Sequence, residues 1–414
     1  MNARQAEEYL LGLELFGMRF GLDRMHRLMT VLGLPQRRFA SIHVVGSNGK
    51  SSTVRFVAAL LERHGLRTGS YTSPHLGSFR ERVAVGEEPV PEEDFAAAVA
   101  RAAQAAEMVN RTEAPDDRVT QFEALTAAAY SELARRGVEV AVIEAGLGGR
   151  YDATNVLPSK VQVLTSVGLE HTRWLGPTIE DIAEEKLAVV RDHSTLAIRE
   201  GLDPAARAAA ARTARRTHSR LVRAEAELGV ELRAPGRFQR GNFALAAAAA
   251  EAFLERPLER PSVERAARET RIPGRLDVVS DEPLTVLDGA HNPEGAHALA
   301  DSLDEVLGGR RPRVGVIGVL DDKDAAGMLA SLLPRLDRVV FTRPGNPRSL
   351  SPATLMSLEQ QLGGPPAETV PAPRAALRRA RELAGPEGSV LVTGSIYLIA
   401  DLVRDGTGAR ASTL

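Results

Sequence analysis

Near its beginning the chain carries the glycine-containing stretch Gly46-Ser47-Asn48-Gly49-Lys50-Ser51-Ser52. It lies between a β-rich run, Ile42-His43-Val44-Val45, and a helical pattern over residues 51–64. Glycines let backbone N–H groups turn toward phosphate oxygens, and the following helix directs its positive end at them. Lys50 supplies a compact positive charge for β- and γ-phosphates, and Ser51 or Ser52 is placed to reach a bound Mg²⁺. The stretch, called here the phosphate loop (residues 46–52), therefore predicts binding of a nucleoside triphosphate.

The phosphate loop departs from the common spacing G-x-x-x-x-G-K-[ST], because Val44 stands where the first glycine would be. The alternative is a Gly-Lys-Ser turn that begins a helix by chance. The order strand, loop, helix favours the phosphate-binding interpretation.

Length and composition limit the class of protein. A chain of 414 residues is long enough for two or three ordinary domains, and 43% hydrophobic with 26% charged residues is typical of a soluble globular protein. No apolar run approaches the roughly 20 residues that span a bilayer, and the N-terminus lacks the order of a secretory signal, so we expect a cytoplasmic protein without a membrane partner. The 0 cysteines exclude disulfides and thiolate chemistry, and a net charge of -2 argues against nucleic acid as a partner.

The first part of the chain alternates helical and strand-like patterns. Residues 6–34 predict two helices around a turn at residues 17–21. Further strand-like runs cover residues 140–144 and 161–167, and each ends in a glycine-bearing loop. This alternation predicts a parallel sheet with helices on both faces. The Ala- and Arg-rich residues 202–223 are interpreted as a solvated surface helix in preference to a nucleic-acid arm.

The alternation stops and restarts around Thr270-Arg271-Ile272-Pro273-Gly274-Arg275, which predicts a domain boundary. Beyond it, strands are predicted at residues 284–287, 314–318, 338–341 and 390–393, with helices between them such as residues 295–307 and 374–384. The predicted fold class is α/β. A parallel-sheet P-loop ATPase domain covers residues 1–271, and a smaller Rossmann-like α/β domain covers residues 272–414.

Three polar residues, Ser73, Glu144 and His171, lie in loops that follow predicted strands. In an open parallel sheet such loops meet at the carboxyl edge, where ligands bind. A carboxylate, a hydroxyl and phosphate oxygens suit Mg²⁺, which keeps several waters and takes few protein ligands. The alternative is that Glu144 is an acid at a strand end and His171 an ordinary loop histidine.

The phosphate loop resembles the shortened loop of the Mur ligase superfamily, usually written G-T-N-G-K-[GST]-[ST]. More specifically, the chain resembles the folylpolyglutamate synthase/dihydrofolate synthase family over nearly its whole length. The supporting segments, in chain order, are Leu15-Phe16-Gly17, Asp23-Arg24-Met25, Tyr71-Thr72-Ser73-Pro74-His75-Leu76, Glu144-Ala145-Gly146-Leu147-Gly148-Gly149-Arg150-Tyr151-Asp152-Ala153-Thr154-Asn155, Gly168-Leu169-Glu170-His171-Thr172, Pro273-Gly274-Arg275-Leu276 and Asp288-Gly289-Ala290-His291-Asn292-Pro293. Any one segment is weak, but their shared order makes coincidence very improbable.

The resemblance implies a site for two Mg²⁺ ions, in which Glu144 bridges both ions, Ser73 binds one and His171 the other. It also implies that Lys186 is N-carboxylated and helps to hold the second ion. A partly desolvated lysine loses its charge easily and then reacts with CO₂. Leu187 stands where the family has a small residue, so a surface helical lysine remains the alternative. The scarcity of lysine in this chain favours the modification.

The family also implies a folate site. Thr120-Gln121-Phe122-Glu123 resembles the segment that contacts the pterin, so Phe122 and Glu123 are assigned to folate binding. An aromatic ring there would stack on the flat heterocycle, although propensity alone equally favours Phe122 as a core residue. Arg150 and Asp152 belong to a glycine-rich loop that the family uses near the pteroate, and Asp152 is the predicted substrate-facing carboxylate.

The second domain would complete the ATP site. Asn242 matches an ATP-contacting asparagine of the family, although Phe238 replaces the histidine of the same segment. Arg275 is placed to bring a planar cation onto the phosphates when the domains close. Asp288 is expected to contact ATP, and Asp288 and His291 both to lie near the incoming glutamate.

Ser395 and Tyr397 match a C-terminal motif of the glutamate site, to which His291 is also assigned. Ordinary alternatives exist, since Asp288 is a good turn residue and Ser395 a good helix N-cap. The predicted ATP site thus comprises the whole phosphate loop with Asn242, Arg275 and Asp288. The predicted catalytic residues are Lys50, Lys186, Asp288 and His291.

These roles together imply an amide-forming ligase. ATP would phosphorylate a folate or dihydropteroate carboxylate, and the amine of L-glutamate would then expel phosphate from the acyl phosphate. The sequence does not separate the first glutamate addition from later ones. We expect a monomer whose partners are its small-molecule substrates.

Two other interpretations remain open at this point. One is a Mur-type ligase for another acceptor, against which the Asp23-Arg24-Met25 region and the loop at residues 71–76 argue. The other is a nucleotide-binding regulatory module that has lost catalysis. It is suggested by the departures at Ser47, Leu187 and Phe238.

Overall fold

The computed structural model describes residues 1–13, 21–112, 114 and 117–404. The first of two sheets carries the phosphate loop and has the strand order β4-β3-β2-β5-β1-β6-β7-β8. Its strands are β1 (Ala40–Val45), β2 (Thr68–Tyr71), β3 (Val83–Val85), β4 (Glu88–Pro89), β5 (Val140–Glu144), β6 (Val161–Leu164), β7 (Thr195–Ile198) and β8 (Arg220–Arg223).

The large sheet is parallel except at one edge, where β2 pairs with β3, and β3 with β4, in the antiparallel sense. Strand β1 lies between β5 and β6 and is parallel to both. From β1 the chain crosses over to β2 on one side, whereas β6 leads to β7 on the other. The carboxyl end of β1 is therefore a topological switch point, the place where open α/β sheets bind ligands.

The second sheet has the order β13-β12-β11-β14-β10-β9 and is parallel except for the pair β9 and β10. Because β10 and β14 are neighbours in parallel register, the loops that follow them meet at one edge. Its strands are β9 (Asp277–Asp281), β10 (Leu284–Leu287), β11 (Arg313–Ile317), β12 (Arg338–Phe341), β13 (Ala367–Thr369) and β14 (Ser389–Thr393).

Helices cover both sheets, as expected for parallel strands joined by crossovers. In the described part of the chain the α-helices are α1 (Ala3–Gly12), α2 (Asp23–Val31), α3 (Lys50–Glu62), α4 (Glu92–Asn110), α5 (Gln121–Arg135), α6 (Thr172–Leu175), α7 (Ile179–Leu187), α8 (Pro204–Arg216), α9 (Arg237–Leu254), α10 (Arg260–Glu269), α11 (Pro293–Leu307), α12 (Ala325–Leu332), α13 (Pro352–Leu362), α14 (Pro373–Ala384) and α15 (Ile396–Val403). Short 3₁₀ turns occur at Pro35–Arg37, Phe79–Arg82, Ala153–Val156 and Leu333–Arg335.

The helix after the phosphate loop is held in place by a second long helix. Apolar residues of α3 and α9 share one core cluster, in which the rings of Phe56 and Phe243 meet edge to face with centroids 5.1 Å apart. Alanines of α9, among them Ala246 and Ala250, are fully buried and let the two helices approach closely. This packing fixes the direction in which α3 points its N-terminus.

The predicted α/β fold class is confirmed, and the main differences lie in short edge elements. The prediction of one surface helix over residues 202–223 is wrong at its end, because α8 stops at Arg216 and residues 220–223 form edge strand β8. The strand predicted over residues 161–167 ends at Leu164. Most of the turn predicted at residues 17–21, and the segment Leu15-Phe16-Gly17, lie outside the described residues. Within the described ranges, no helix has the length and apolarity needed to cross a membrane.

Candidate active site

The phosphate loop joins β1 to α3 at the switch point of the large sheet. Gly46 has a φ of 149°, and a Cβ there would stand 1.9 Å from Thr165 Oγ1. Gly49, with a φ of 86°, precedes the first residue of α3 and packs against the Asn242 side chain. Both positions therefore require glycine, for space and for a left-handed backbone. Asn242, which was predicted to contact ATP, lies directly beside the loop.

The loop is fastened to the segment after β6. Ser47 N–H donates to the Ser166 carbonyl at 2.9 Å, and Asn48 N–H donates to Ser166 Oγ at 2.9 Å. Gly168 N–H donates to Ser47 Oγ at 3.0 Å. Ser47, which replaces the threonine of the family pattern, thus keeps the hydroxyl that this contact uses.

Lys50 and Glu144 form the charged centre of the site. Lys50 Nζ donates to the carbonyls of Gly46 and Ser47 at 2.9 and 3.0 Å. Glu144, at the end of β5, is 1% exposed and accepts from Ser51 Oγ at 3.0 Å and from Ser73 N–H at 3.1 Å. Burial raises the pKa of the Glu144 carboxyl, while the charge of Lys50 and these hydrogen bonds oppose that rise. A buried carboxylate beside a lysine and two hydroxyl-bearing residues is suited to a hard cation and phosphate.

Lys186 is buried at the end of α7, and the alternative of a surface helical lysine is therefore wrong. Its side chain is 2% exposed, and Nζ donates to the Gly46 carbonyl at 3.0 Å. Burial lowers the pKa of its ammonium to about 8, although Glu170, 3.4 Å away, favours the charged form. Burial disfavours the Glu170 carboxylate, but Lys186 and Lys50 hold its pKa at about 2. A lysine of lowered pKa supplies neutral amine near neutral pH, as reaction with CO₂ requires.

His171 follows Glu170 and precedes α6, in a left-handed conformation with a φ of 51°. Its ring is exposed on the loop after β6, at the same sheet edge as the phosphate loop.

The donor set fits magnesium better than a transition metal. The described residues contain no group of three or more His, Cys, Asp or Glu side chains that could hold a metal by themselves. Mg²⁺ needs only one or two protein oxygens when substrate phosphates and water fill its other positions. The Glu144 carboxylate and the Ser51 hydroxyl meet that requirement, and Ser73 lies beside them through its backbone contact with Glu144.

The predicted folate residues lie on two neighbouring elements. Phe122, in the first turn of α5, faces the loop after β5, where a Cβ on Gly146 would stand 2.6 Å from its ring. Its ring centroid is 6.1 Å from that of Tyr71. The half-buried Phe122 thus packs against the core and also borders the glycine-rich loop.

The charged residues predicted for the folate site are engaged with the protein. Glu123 is buried and accepts from Arg24 Nη2 at 3.0 Å. Arg150 is exposed and pairs with Glu185 at 3.0 Å. Asp152 is 6% exposed and accepts from Leu147 N–H at 2.8 Å. Asp152 therefore stabilises the glycine-rich loop through this hydrogen bond.

The loop after β10 brings the second domain to the site. Asp288 is 2% exposed and accepts from the N–H groups of Leu276 and Ala290 at 2.9 and 2.8 Å. Burial raises its pKa, and the nearby charge of Arg275 opposes that rise. His291 is half-buried, and burial together with Arg275 lowers its pKa to about 4, so the ring is neutral at neutral pH. Arg275 is also close enough to stabilise the charged form of Glu144.

Ser395 and Tyr397 follow β14, next to the loop that carries Asp288. Ser395 is the N-cap of α15, and its Oγ accepts from Tyr397 N–H at 3.1 Å. Both residues are buried. Ser395 therefore caps α15, as the alternative interpretation expected. It also lies at the same edge of the sheet as the loop that follows β10.

Residues for which the sequence predicted no role also shape the site. Ser166 anchors the phosphate loop, Glu170 pairs with Lys186, and Asn292 and Glu294 contact Asn48 across the domain boundary. Ser166 and Glu294 carry no motif of their own. Glu170 and Asn292 stand inside the quoted segments, and only their tertiary contacts distinguish them.

Both halves of the chain match family models of known proteins. A family model described as the Mur ligase middle domain matches residues 44–224, and one described as the Mur ligase, glutamate ligase domain matches residues 274–396. The chain is 34% identical to the folylpolyglutamate synthase of Lacticaseibacillus casei over 91% of this chain and 92% of that protein.

A probable bifunctional folylpolyglutamate synthase/dihydropteroate synthase of Haloferax volcanii is 35% identical over 97% of this chain, which spans only 50% of that longer relative. Among solved structures, Mycobacterium tuberculosis folylpolyglutamate synthase complexed with ADP superposes with a TM-score of 0.90 at 31% identity, covering 97% of both chains.

Proposed function

Because the chain belongs to the folylpolyglutamate synthase/dihydrofolate synthase family, we propose that it ligates L-glutamate to dihydropteroate or to reduced folates at the expense of ATP. The observation that carries this proposal is the charged centre formed by Lys50 and Glu144 at the switch point of the large sheet. In the second domain, the charge of Arg275 acts on Asp288 and His291, and Glu170 of the first domain also acts on His291. The relatives do not support the alternatives of another acceptor or a regulatory module.

The reaction joins two poorly reactive groups in two steps. The acceptor carboxylate attacks the γ-phosphorus of ATP, and ADP leaves as a mixed carboxylic–phosphoric anhydride forms. The glutamate amine then attacks the acyl carbon, loses a proton and expels inorganic phosphate. Lys50 and Arg275 would spread the charge of the transferring phosphoryl group, because Lys50 lies in the phosphate loop and the charge of Arg275 acts on the nearby Glu144.

The second domain would serve the amine step. A neutral His291 ring accepts a proton, and its lowered pKa keeps it neutral at physiological pH. Asp288 fixes the loop that carries His291 through its two backbone hydrogen bonds. Docking of the two domains keeps water from the anhydride, which would otherwise hydrolyse.

Magnesium would be held by Glu144, Ser73, His171 and the phosphate oxygens, and it would neutralise phosphate charge. Lys186, buried and of lowered pKa, is the proposed site of N-carboxylation beside this centre. For the acceptor, we propose stacking on Phe122 and contacts from the loop that Arg150 and Asp152 stabilise, with Glu123 acting through Arg24.

We also propose the predicted domain division, a monomeric state and a cytoplasmic location. The two sheets are separated along the chain between Arg223 and Asp277, which brackets the proposed boundary at residue 271. All parts of the candidate site come from one chain, so a monomer would be sufficient. Light scattering in the presence of substrates checks the oligomeric state.

A side-by-side ligation assay tests the proposed function. Purified protein is incubated with ATP, Mg²⁺ and L-glutamate, and with either dihydropteroate or tetrahydrofolate as acceptor. We expect phosphate release that depends on all components, and a product heavier than at least one acceptor by one glutamyl residue. Absence of a glutamylated product with both acceptors would overturn the proposal, and the more active acceptor separates the first addition from later ones.

A further inference from the structure

The two domains meet through a pair of asparagine side chains. Asn48 of the phosphate loop and Asn292 of the second domain exchange two hydrogen bonds, with Asn48 Nδ2 3.3 Å from Asn292 Oδ1 and Asn292 Nδ2 3.1 Å from Asn48 Oδ1. Each residue lies 244 positions from the other in the sequence. The contact is therefore purely tertiary and exists only when the domains are docked.

The orientation of both amides follows from their other contacts. Asn292 is the N-cap of α11, and its Oδ1 accepts from Gly295 N–H at 2.8 Å. An N-cap must present oxygen to the helix, so Nδ2 of Asn292 is left to face Asn48. Asn48 must then present its Oδ1 to that donor.

The remaining hydrogen of each amide goes to a carboxylate of the opposite domain. Asn48 Nδ2 lies 3.0 Å from Glu294 Oε2, and Asn292 Nδ2 lies 3.4 Å from Glu170 Oε2. Every donor of the pair is thus used, and every one is used across the domain boundary. Glu170 is also the partner of Lys186, so the pair is continuous with the centre around that lysine.

The positions of both asparagines are restricted by their surroundings. Asn292 is 8% exposed, and Asn48 N–H is bound to Ser166 Oγ at 2.9 Å. Asn48 is therefore held from two sides. Its backbone N–H is bound within its own domain, and its side-chain amide is bound by the second domain.

We propose that Asn292 is a positioning residue for the nucleotide, acting through the side chain of Asn48. The second domain, on docking, fixes the conformation of the phosphate loop by means of this amide pair. Nucleotide affinity and domain docking are then coupled, because each stabilises the same loop geometry. The inference rests on the proposed ATP-dependent function and names residues that set its nucleotide affinity.

A double-mutant cycle on ADP binding tests the proposal. Asn292→Ser keeps an N-cap oxygen and removes the amide that reaches Asn48. By titration calorimetry with Mg²⁺ present, we expect Asn292→Ser to weaken ADP binding about tenfold, as expected for the loss of two ordinary hydrogen bonds. In an Asn48→Ala background the same change should alter affinity by less than about twofold.

Two controls separate positioning from other effects. Glu305→Gln breaks a different contact between the domains, the 2.6 Å pair with Arg240. Because both side chains of this pair are partly exposed, it adds little to docking, and the variant should change ADP affinity by less than about twofold. Asn292→Ala should bind ADP as Asn292→Ser does, although it also loses the cap and melts at a lower temperature. The proposal is overturned if Asn292→Ser binds like the wild type, or weakens binding equally in both backgrounds. Failure of the proposed function would instead appear in the wild type, as absent ligation.

Discussion

Lys50 is the single residue on which the proposed chemistry depends most. Its Nζ lies within the phosphate loop, 2.9 Å from the Gly46 carbonyl, and its charge reaches the buried Glu144. We expect Lys50→Ala to lower kcat about a thousandfold, because a fixed charge aimed at a transferring phosphoryl group is removed. Initial rates of glutamate-dependent phosphate release measure the effect.

Lys160 provides the matched control for that variant. It is an exposed lysine that precedes β6, away from the carboxyl edge, and its ammonium lies 5.5 Å from the centroid of the Phe253 ring. Lys160→Ala should retain wild-type turnover. If Lys50→Ala kept comparable activity, Lys50 would not be part of the catalytic centre.

Among single residues, the sequence motifs predicted several polar side chains that the structure brings close to the phosphate loop or to one another. Asn242, predicted to contact ATP, lies beside Gly49 of the phosphate loop, and Ser73 and Glu144, predicted to hold magnesium, are joined by a hydrogen bond. The partners of these groups were not predictable, because contacts such as Asn48 with Glu294 join distant parts of the chain and leave no local pattern. Asp152, predicted to face a substrate, has hydrogen bonds to its own loop that spacing alone does not indicate.

At the scale of elements, Glu132 on α5 links that helix to α4. Its carboxylate is 1% exposed and accepts from Arg101 at 2.9 Å, from Arg135 at 2.7 Å and from Arg136 at 3.0 Å. Burial alone would raise the pKa of this carboxyl, but the arginines dominate and lower it below its ordinary value of 4.5. The contact therefore stabilises the fold above pH 4.5 and is lost as the pH falls through the lowered value.

We expect Glu132→Gln to lower the free energy of unfolding by about 2 kcal/mol at pH 7, because partly buried arginines lose their counter-charge. Urea titrations of both proteins at falling pH should show the difference shrink only below pH 4.5. Asp94→Asn removes a more exposed partner of Arg135 and should cost less than about 1 kcal/mol. A pH-independent difference for Glu132→Gln would contradict this explanation.

Long, buried elements were the predictable ones. Strand β5 and strand β10 are apolar runs bounded by turns, and their predicted limits agree with the structure. Strand β8 was missed because its sequence, Arg-Leu-Val-Arg, is short and only half-buried at the sheet edge. Strand β9 is an exposed antiparallel edge whose residues follow the predicted linker, and its pairing with β10 depends on tertiary structure.

At the scale of the whole molecule, the active site is a property of both domains together. The large sheet supplies Lys50 and Glu144, whereas the smaller sheet supplies Asp288 and His291 through the loop after β10. The Asn48–Asn292 pair joins the two sets. Docking would therefore assemble the site and exclude water at the same time, which an anhydride intermediate requires.

The fate of the acceptor's oxygen atoms shows whether its carboxylate is activated as an anhydride. With an acceptor labelled with ¹⁸O in its carboxylate, the anhydride route transfers one labelled oxygen to phosphate when the glutamate amine attacks. We therefore expect the inorganic phosphate released with ATP, Mg²⁺ and L-glutamate to carry one ¹⁸O for each amide bond formed. Released phosphate without label would mean that ATP is hydrolysed by water and that the carboxylate is never activated, which would contradict the proposed anhydride route.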